Sequence, residues 1–147
     1  MDQSFVGRAF PLAEPYLVGR EKVREFAAAI GETSPLCLDS ARARAAGYPD
    51  VVAPPTFAMA VVARAQDAVL FDPALGLDFS RVVHGDQAFV YHRPICAGDE
   101  LRSTVHIDAI RVMAGNDIIT LRTELSTSAG EPVCAATSTL VSRGADL

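Results

Sequence analysis

Hydrophobic positions divide the chain into two regimes. From residue 20 to 70 they recur at helical spacing, and from about residue 81 onward they alternate with polar ones. In the segment from Arg20 to Gly31, Val23, Phe26, Ala27 and Ile30 fall on one helical face, and Gly31 is placed to end the helix in a left-handed conformation. Residues 32–49 read as a turn and a short helix capped by Asp39 or Ser40 and closed by Gly47. The stretch from Ala53 to Leu70 is the dominant one. Pro54 and Pro55 suit the first turn of a helix, and from Phe57 to Leu70 only Arg64, Gln66 and Asp67 are polar, so this helix is expected to be buried on most of its circumference. At about 25 Å it is too short, and with its charges too polar, to span a membrane.

The second regime reads as strands at about 81–93, 100–112, 117–128 and 132–142. In the second of these, Leu101, Val105, Ile107 and Ala109 point one way while Arg102, Thr104, His106 and Asp108 point the other. Turn sequences at 97–99, 114–117 and 128–131 make the run an antiparallel meander. Residues 5–18 add an extended segment that could supply one further strand. The class is therefore α+β, and a sheet with one apolar face is most simply satisfied by curling around the long helix, the hot-dog arrangement.

Composition narrows the function. A chain of 147 residues, half of them hydrophobic, fits a single domain over 1–147. The net charge of −5, with no tryptophan and no basic cluster, argues against nucleic-acid binding. Cys37, Cys96 and Cys134 lack metal-ligand spacing, so reduced thiols and no metal or other cofactor are expected. An acidic, unpatterned first segment without a signal peptide points to the cytoplasm and away from membranes.

Two segments carry a resemblance. Gly31 to Ala43, G-E-T-S-P-L-C-L-D-S-A-R-A, and Asp86 to Leu101, D-Q-A-F-V-Y-H-R-P-I-C-A-G-D-E-L, lie on either side of A-P-P-T-F. Together they resemble the MaoC-like (R)-specific hydratases and dehydratases, and most the short single-hot-dog subunits of actinobacterial (3R)-hydroxyacyl dehydratases. The resemblance implies an acyl-CoA or acyl-ACP thioester as ligand and a homodimer, or a heterodimer with a catalytic hot-dog chain. It places substrate contacts at Ser34, Pro54, Pro55, Thr56, Phe57, Met59 and Gln87.

The family's chemistry uses an aspartate and a histidine five residues later. Here those positions are Glu32 and Cys37. A thiol of ordinary pKa near 8.5 is a poor substitute for imidazole. The resemblance also implies a His-Gly pair whose glycine amide meets the thioester oxygen, and Pro54 and Pro55, which have no N–H, stand there instead. The expected function is thus acyl binding without a complete catalytic set. Alternatives are a self-sufficient homodimeric hydratase using Glu32 with His84 or His92, a thioesterase using Asp67, and a non-enzymatic acyl-binding module. His106, on the polar side of its strand, is expected to be solvated.

Overall fold

In the computed structural model, which describes residues 1–144, the alternating segments form one antiparallel sheet. Its long strands are β3 (Val82–Tyr91), β4 (Glu100–Met113), β5 (Asn116–Thr127) and β6 (Pro132–Ser142). The extended segment near the start supplies two short strands, β1 (Ala9–Pro11) and β2 (Tyr16–Leu17), where one was expected. Both pair with the outer edge of β4, and the sheet order is β1-β4-β5-β6-β3. Among the described residues β3 has β6 on one side and no strand on the other.

Three register shifts interrupt this sheet, one of them at Val133 of β6, between the Leu125–Cys134 and Ser126–Pro132 pairs; the other two bear on the core. In β4, Ile107 pairs with Leu121 and Ala109 with Thr120, so Asp108 is the extra residue and the alternation changes phase there. As a result Ile110, not Ala109, is the next buried side chain. In β3 the extra residue is Gly85, where a Cβ would lie 3.2 Å from the carbonyl oxygen of Thr139, too close to its neighbour strand for an unstrained side chain.

The helices are α1 (Arg20–Ala29), α2 (Pro35–Leu38), α3 (Ser40–Ala45) and α4 (Ala58–Leu70). α1 buries Val23 and Ala27 and ends at Ala29, so Ile30 falls outside it and is exposed, and Gly31 follows with φ 71°. The short-helix region is two helices. Ser34 Oγ accepts from the Leu36 amide to cap α2, and Asp39 accepts from Ala41 and Arg42 to cap α3.

α4 crosses the concave face of the sheet, but Pro54 and Pro55 are not in its first turn. They belong to a tight turn before it, in which the Phe57 amide donates to the Pro54 carbonyl at 2.8 Å. Nor is α4 buried nearly all round. Ala63, Arg64, Asp67 and Ala68 form an exposed stripe, while Ala58, Val61, Val62, Ala65, Gln66, Val69 and Leu70 face inward.

Two apolar clusters result. Phe57, Val61 and Val62 pack with Val18, Val23, Ile95, Leu101 and Leu125, and Phe26 meets Phe57 edge-on at 5.4 Å. Ala65, Val69 and Leu70 pack with Phe5, Leu75, Val105, Ile107, Ile119, Leu121 and Leu140. A fully buried side chain of this size is worth about 1.5–3 kcal/mol relative to exposure, so α4 is held by both clusters rather than by helix propensity.

Candidate functional site

The segment 51–53 is laid against 95–97. The Ala53 amide donates to Ile95, the Ala97 amide to Val51 and the Val52 amide to the Leu36 carbonyl, which ties α2 to the same wall. Arg93 completes the frame by donating to both oxygens of Asp99 at 2.9 and 3.0 Å, while Asp99 also accepts from the Cys96 amide. These contacts frame an open cavity of about 460 Å³ bounded by Glu32, Ser34, Leu36 and Cys37 on one side. Val52 to Pro55 and Tyr91 to Ile95 form the others.

Glu32, Ser34, Cys37, Pro54 and Pro55 therefore share one cavity, joined by His92 and Tyr91. The remaining residues singled out in the sequence lie elsewhere. Thr56 is exposed, Phe57 is wholly buried beneath the turn, and Met59 borders a different cavity with His84 and Asp67. Gln87 is half-buried on β3 and accepts from Ser138 Oγ at 2.6 Å. His106 departs from its solvated reading. Its Nε2 is enclosed without a hydrogen-bond partner, 3.5 Å from a Glu124 carboxylate oxygen, because β4 sets it beside β5.

Glu32 and Cys37 are each constrained by their neighbours. One Glu32 carboxylate oxygen accepts the Ser34 amide at 2.8 Å, closing the turn that leads into α2. Cys37 is buried. That burial pushes its thiol above the ordinary value, the Glu32 charge acts in the same direction, and a hydrogen bond with Ser34 opposes them. At neutral pH the sulfur is thus protonated and is neither base nor nucleophile.

Sequence reading gave no role to Tyr91. Its phenol donates to the Pro55 carbonyl at 2.6 Å, fastening the proline turn to the end of β3. Burial raises its pKa first, with the neighbouring Cys134 adding to the rise and the Ala58 amide opposing it. The phenol therefore keeps its proton across the physiological range. No sequence signal marks this pair, because the partners are 36 positions apart.

The arrangement can enclose an apolar chain beside a few polar groups. It offers no imidazole at the Cys37 position and no N–H along the Pro54–Pro55 wall, and the nearby Ala58 amide faces Tyr91. Among the described residues no helix is long and apolar enough to cross a membrane.

Known proteins bear on this geometry. The profile of the "FAS1-like, dehydratase domain region" family matches residues 4–136. A UPF0336 protein of Saccharopolyspora erythraea is 60% identical over 144 residues, covering 98% of this chain and 92% of that protein. A chain of the HadBC (3R-hydroxyacyl-ACP dehydratase) complex from Mycobacterium tuberculosis superposes with a TM-score of 0.85 at 31% identity, covering 96% of this chain and 98% of that one. A MaoC-like dehydratase superposes with a TM-score of 0.87 at 39% identity, covering 97% of this chain but 43% of that longer one. With the family profile matching residues 4–136 and the Saccharopolyspora erythraea relative aligned over 98% of this chain, the chain belongs to the FAS1-like dehydratase-region family of MaoC-like hot-dog proteins.

Proposed function

We propose that this chain is an acyl-binding, non-catalytic hot-dog subunit of a (3R)-hydroxyacyl-thioester dehydratase, paired with a second hot-dog chain that supplies the aspartate and histidine. The observation that carries the reading is the chemistry of the 460 Å³ cavity. It retains the shape and apolar lining for an acyl thioester, yet its carboxylate is bonded to the Ser34 amide and its cysteine is a protonated, buried thiol. Removal of a β-hydroxyl needs a base of near-neutral pKa and a donor for the developing enolate oxygen, and neither is present at the family positions.

Two further observations support a partner. β3 leaves a ten-residue edge free among the described residues, the kind of edge that a second sheet covers. The similar Mycobacterium tuberculosis chain is part of a dehydratase complex.

The test is hydration of crotonyl and longer enoyl thioesters by the purified chain alone and after co-expression with a hot-dog chain carrying an intact Asp/His pair. Activity is expected only in the co-expressed complex. Ordinary enzymatic rates from the chain alone would overturn the proposal.

A second reading, a self-sufficient homodimeric hydratase, draws on His92, which borders the same cavity as Glu32. In that case His92→Ala and Glu32→Ala would each abolish hydration by the isolated chain.

A further inference from the structure

Gln66 is the one polar side chain that α4 turns inward, with 2% of its surface exposed. The orientation of its amide follows from its neighbours. Gln87 Nε2 lies 3.2 Å from the Ala88 carbonyl, which can only accept, so Gln87 Oε1 faces Ser138 and receives the Ser138 hydroxyl proton at 2.6 Å. A hydroxyl has a single hydrogen. With that hydrogen committed, Ser138 Oγ accepts from Gln66 at 3.0 Å, and the second Gln66 N–H goes to Thr123 Oγ1 at 3.2 Å. Both donors are used, and the carbonyl oxygen is the free end of the amide.

No donor among the described residues reaches that oxygen. It is not sealed in either, since His106 Nε2 is the only fully enclosed side-chain polar atom without a partner among them. Gln66 borders a second cavity, of about 230 Å³, between α4 and the start of β3. Its other walls include Leu70, Phe79, Val82 and Leu140, with the Asp67 side chain on the same cavity. An acceptor of fixed orientation that no protein donor reaches, yet which is open to solvent, is free to take a hydrogen bond from a bound molecule.

The geometry points to a second ligand site here, distinct from the 460 Å³ cavity, that takes an aliphatic molecule ending in a hydrogen-bond donor. A primary alcohol or an alkylammonium donates to Gln66 Oε1 while its chain lies against Leu70, Phe79, Val82 and Leu140. The Asp67 carboxylate on this wall disfavours a carboxylate head, and His84, which borders the same cavity, adds a second polar group beside it. At about 30 Å³ per water in the bulk liquid, the space corresponds to roughly eight waters, enough for a six-carbon chain with its head group. This inference stands apart from the reading of the 460 Å³ cavity, since the two cavities share no lining residue.

The experiment titrates the full chain with 1-hexanol, hexylamine and sodium hexanoate separately, following the Gln66 side-chain NH₂ and the Leu70 and Leu140 methyl resonances. Hexanol or hexylammonium is expected to shift all three groups saturably while hexanoate leaves them unchanged. Ala63 is exposed, lies on α4 and borders this cavity, so Ala63→Phe fills the space without touching the Gln66 network. It is expected to weaken the response about tenfold or more, with the melting temperature retained. Gln66→Met keeps the volume and removes the acceptor, and is expected to weaken the hexanol and hexylammonium shifts of the Leu70 and Leu140 methyls about tenfold or more. An equal response to hexanoate, an unchanged response in Ala63→Phe, or no response to any of the three because water or a second copy fills the cavity, would each overturn the site.

Discussion

The phenol of Tyr91 holds the carbonyl of Pro55 at 2.6 Å, so the wall of the 460 Å³ cavity is fastened across the molecule by one side chain from the end of β3. Removing the hydroxyl leaves the ring in place and the carbonyl without its donor. Tyr91→Phe is therefore expected to lower stability by about 0.5–1.5 kcal/mol, the net worth of one hydrogen bond. It is also expected to weaken binding of an acyl thioester analogue by more than that loss explains at saturating protein stability. Denaturant unfolding and calorimetric titration measure the two effects. Unchanged analogue affinity would show that the strap does not shape the cavity.

Glu32 and Cys37 occupy one cavity without forming a proton-transfer pair, because one is bonded to the Ser34 amide and the other is a protonated thiol. Restoring the family residues tests whether that is the principal deficit. The double variant Glu32→Asp with Cys37→His is expected to hydrate crotonyl thioester measurably, and each single variant to stay at background. The Pro54–Pro55 wall still lacks an N–H, and one missing oxyanion donor costs about 10²–10³ in rate. The gain should therefore fall short of an intact family member by about that factor. Stopped activity in the double variant, with the fold intact by circular dichroism, would place the deficit elsewhere.

The long strands were legible because Leu101 to Ile107 and Ile119 to Leu125 alternate without interruption, and the core helix because thirteen residues run almost free of charge. The bulge at Asp108 was not, since alternation continues on paper through Ala109 while the backbone inserts a residue there. The exposed stripe on α4 was hidden for a related reason: Ala63 and Ala68 are apolar but small, and read as core by composition alone. Of the site, the gathering of Glu32, Ser34, Cys37 and the prolines followed from family spacing. The contacts that set its chemistry did not. Tyr91 reaches Pro55 over 36 positions, and Gln66 reaches Thr123 and Ser138 over 57 and 72, distances at which local pattern carries no information.

Asp50 ties the cavity wall to two helices. Its carboxylate accepts from Arg20 at 2.9 and 2.6 Å, from Arg44 at 3.0 Å and from the Val51 amide at 2.7 Å. The Arg20 hydrogen bond, with the Val51 amide next, holds this carboxyl far below the usual carboxylate range. In the unfolded chain it titrates near its ordinary value of about 3.9. A depressed folded pKa contributes stability that is present above that value and is lost as pH falls toward the folded one, because the unfolded state takes up the proton first. Between about pH 4 and pH 2 the urea midpoint of the native chain should therefore fall more steeply than that of Asp50→Asn. Parallel slopes would show that the cluster adds nothing to acid stability.

The free edge of β3 makes the last prediction. Val90 is 62% exposed and Val83 37% exposed on a ten-residue strand whose outer side has no neighbour among the described residues. An apolar unpaired edge of this length is an invitation to a second sheet, and natural monomers blunt such edges with lysine or proline. None stands on β3. If a second hot-dog pairs here, Val90→Lys should shift the sedimenting species from dimer toward monomer, since the new ammonium would have to be desolvated at the junction. The same substitution on a strand that faces only water should change stability by no more than about 0.5 kcal/mol and leave the oligomeric state alone. Sedimentation velocity separates the outcomes, and a dimer unaffected by Val90→Lys would move the interface to another face of the molecule.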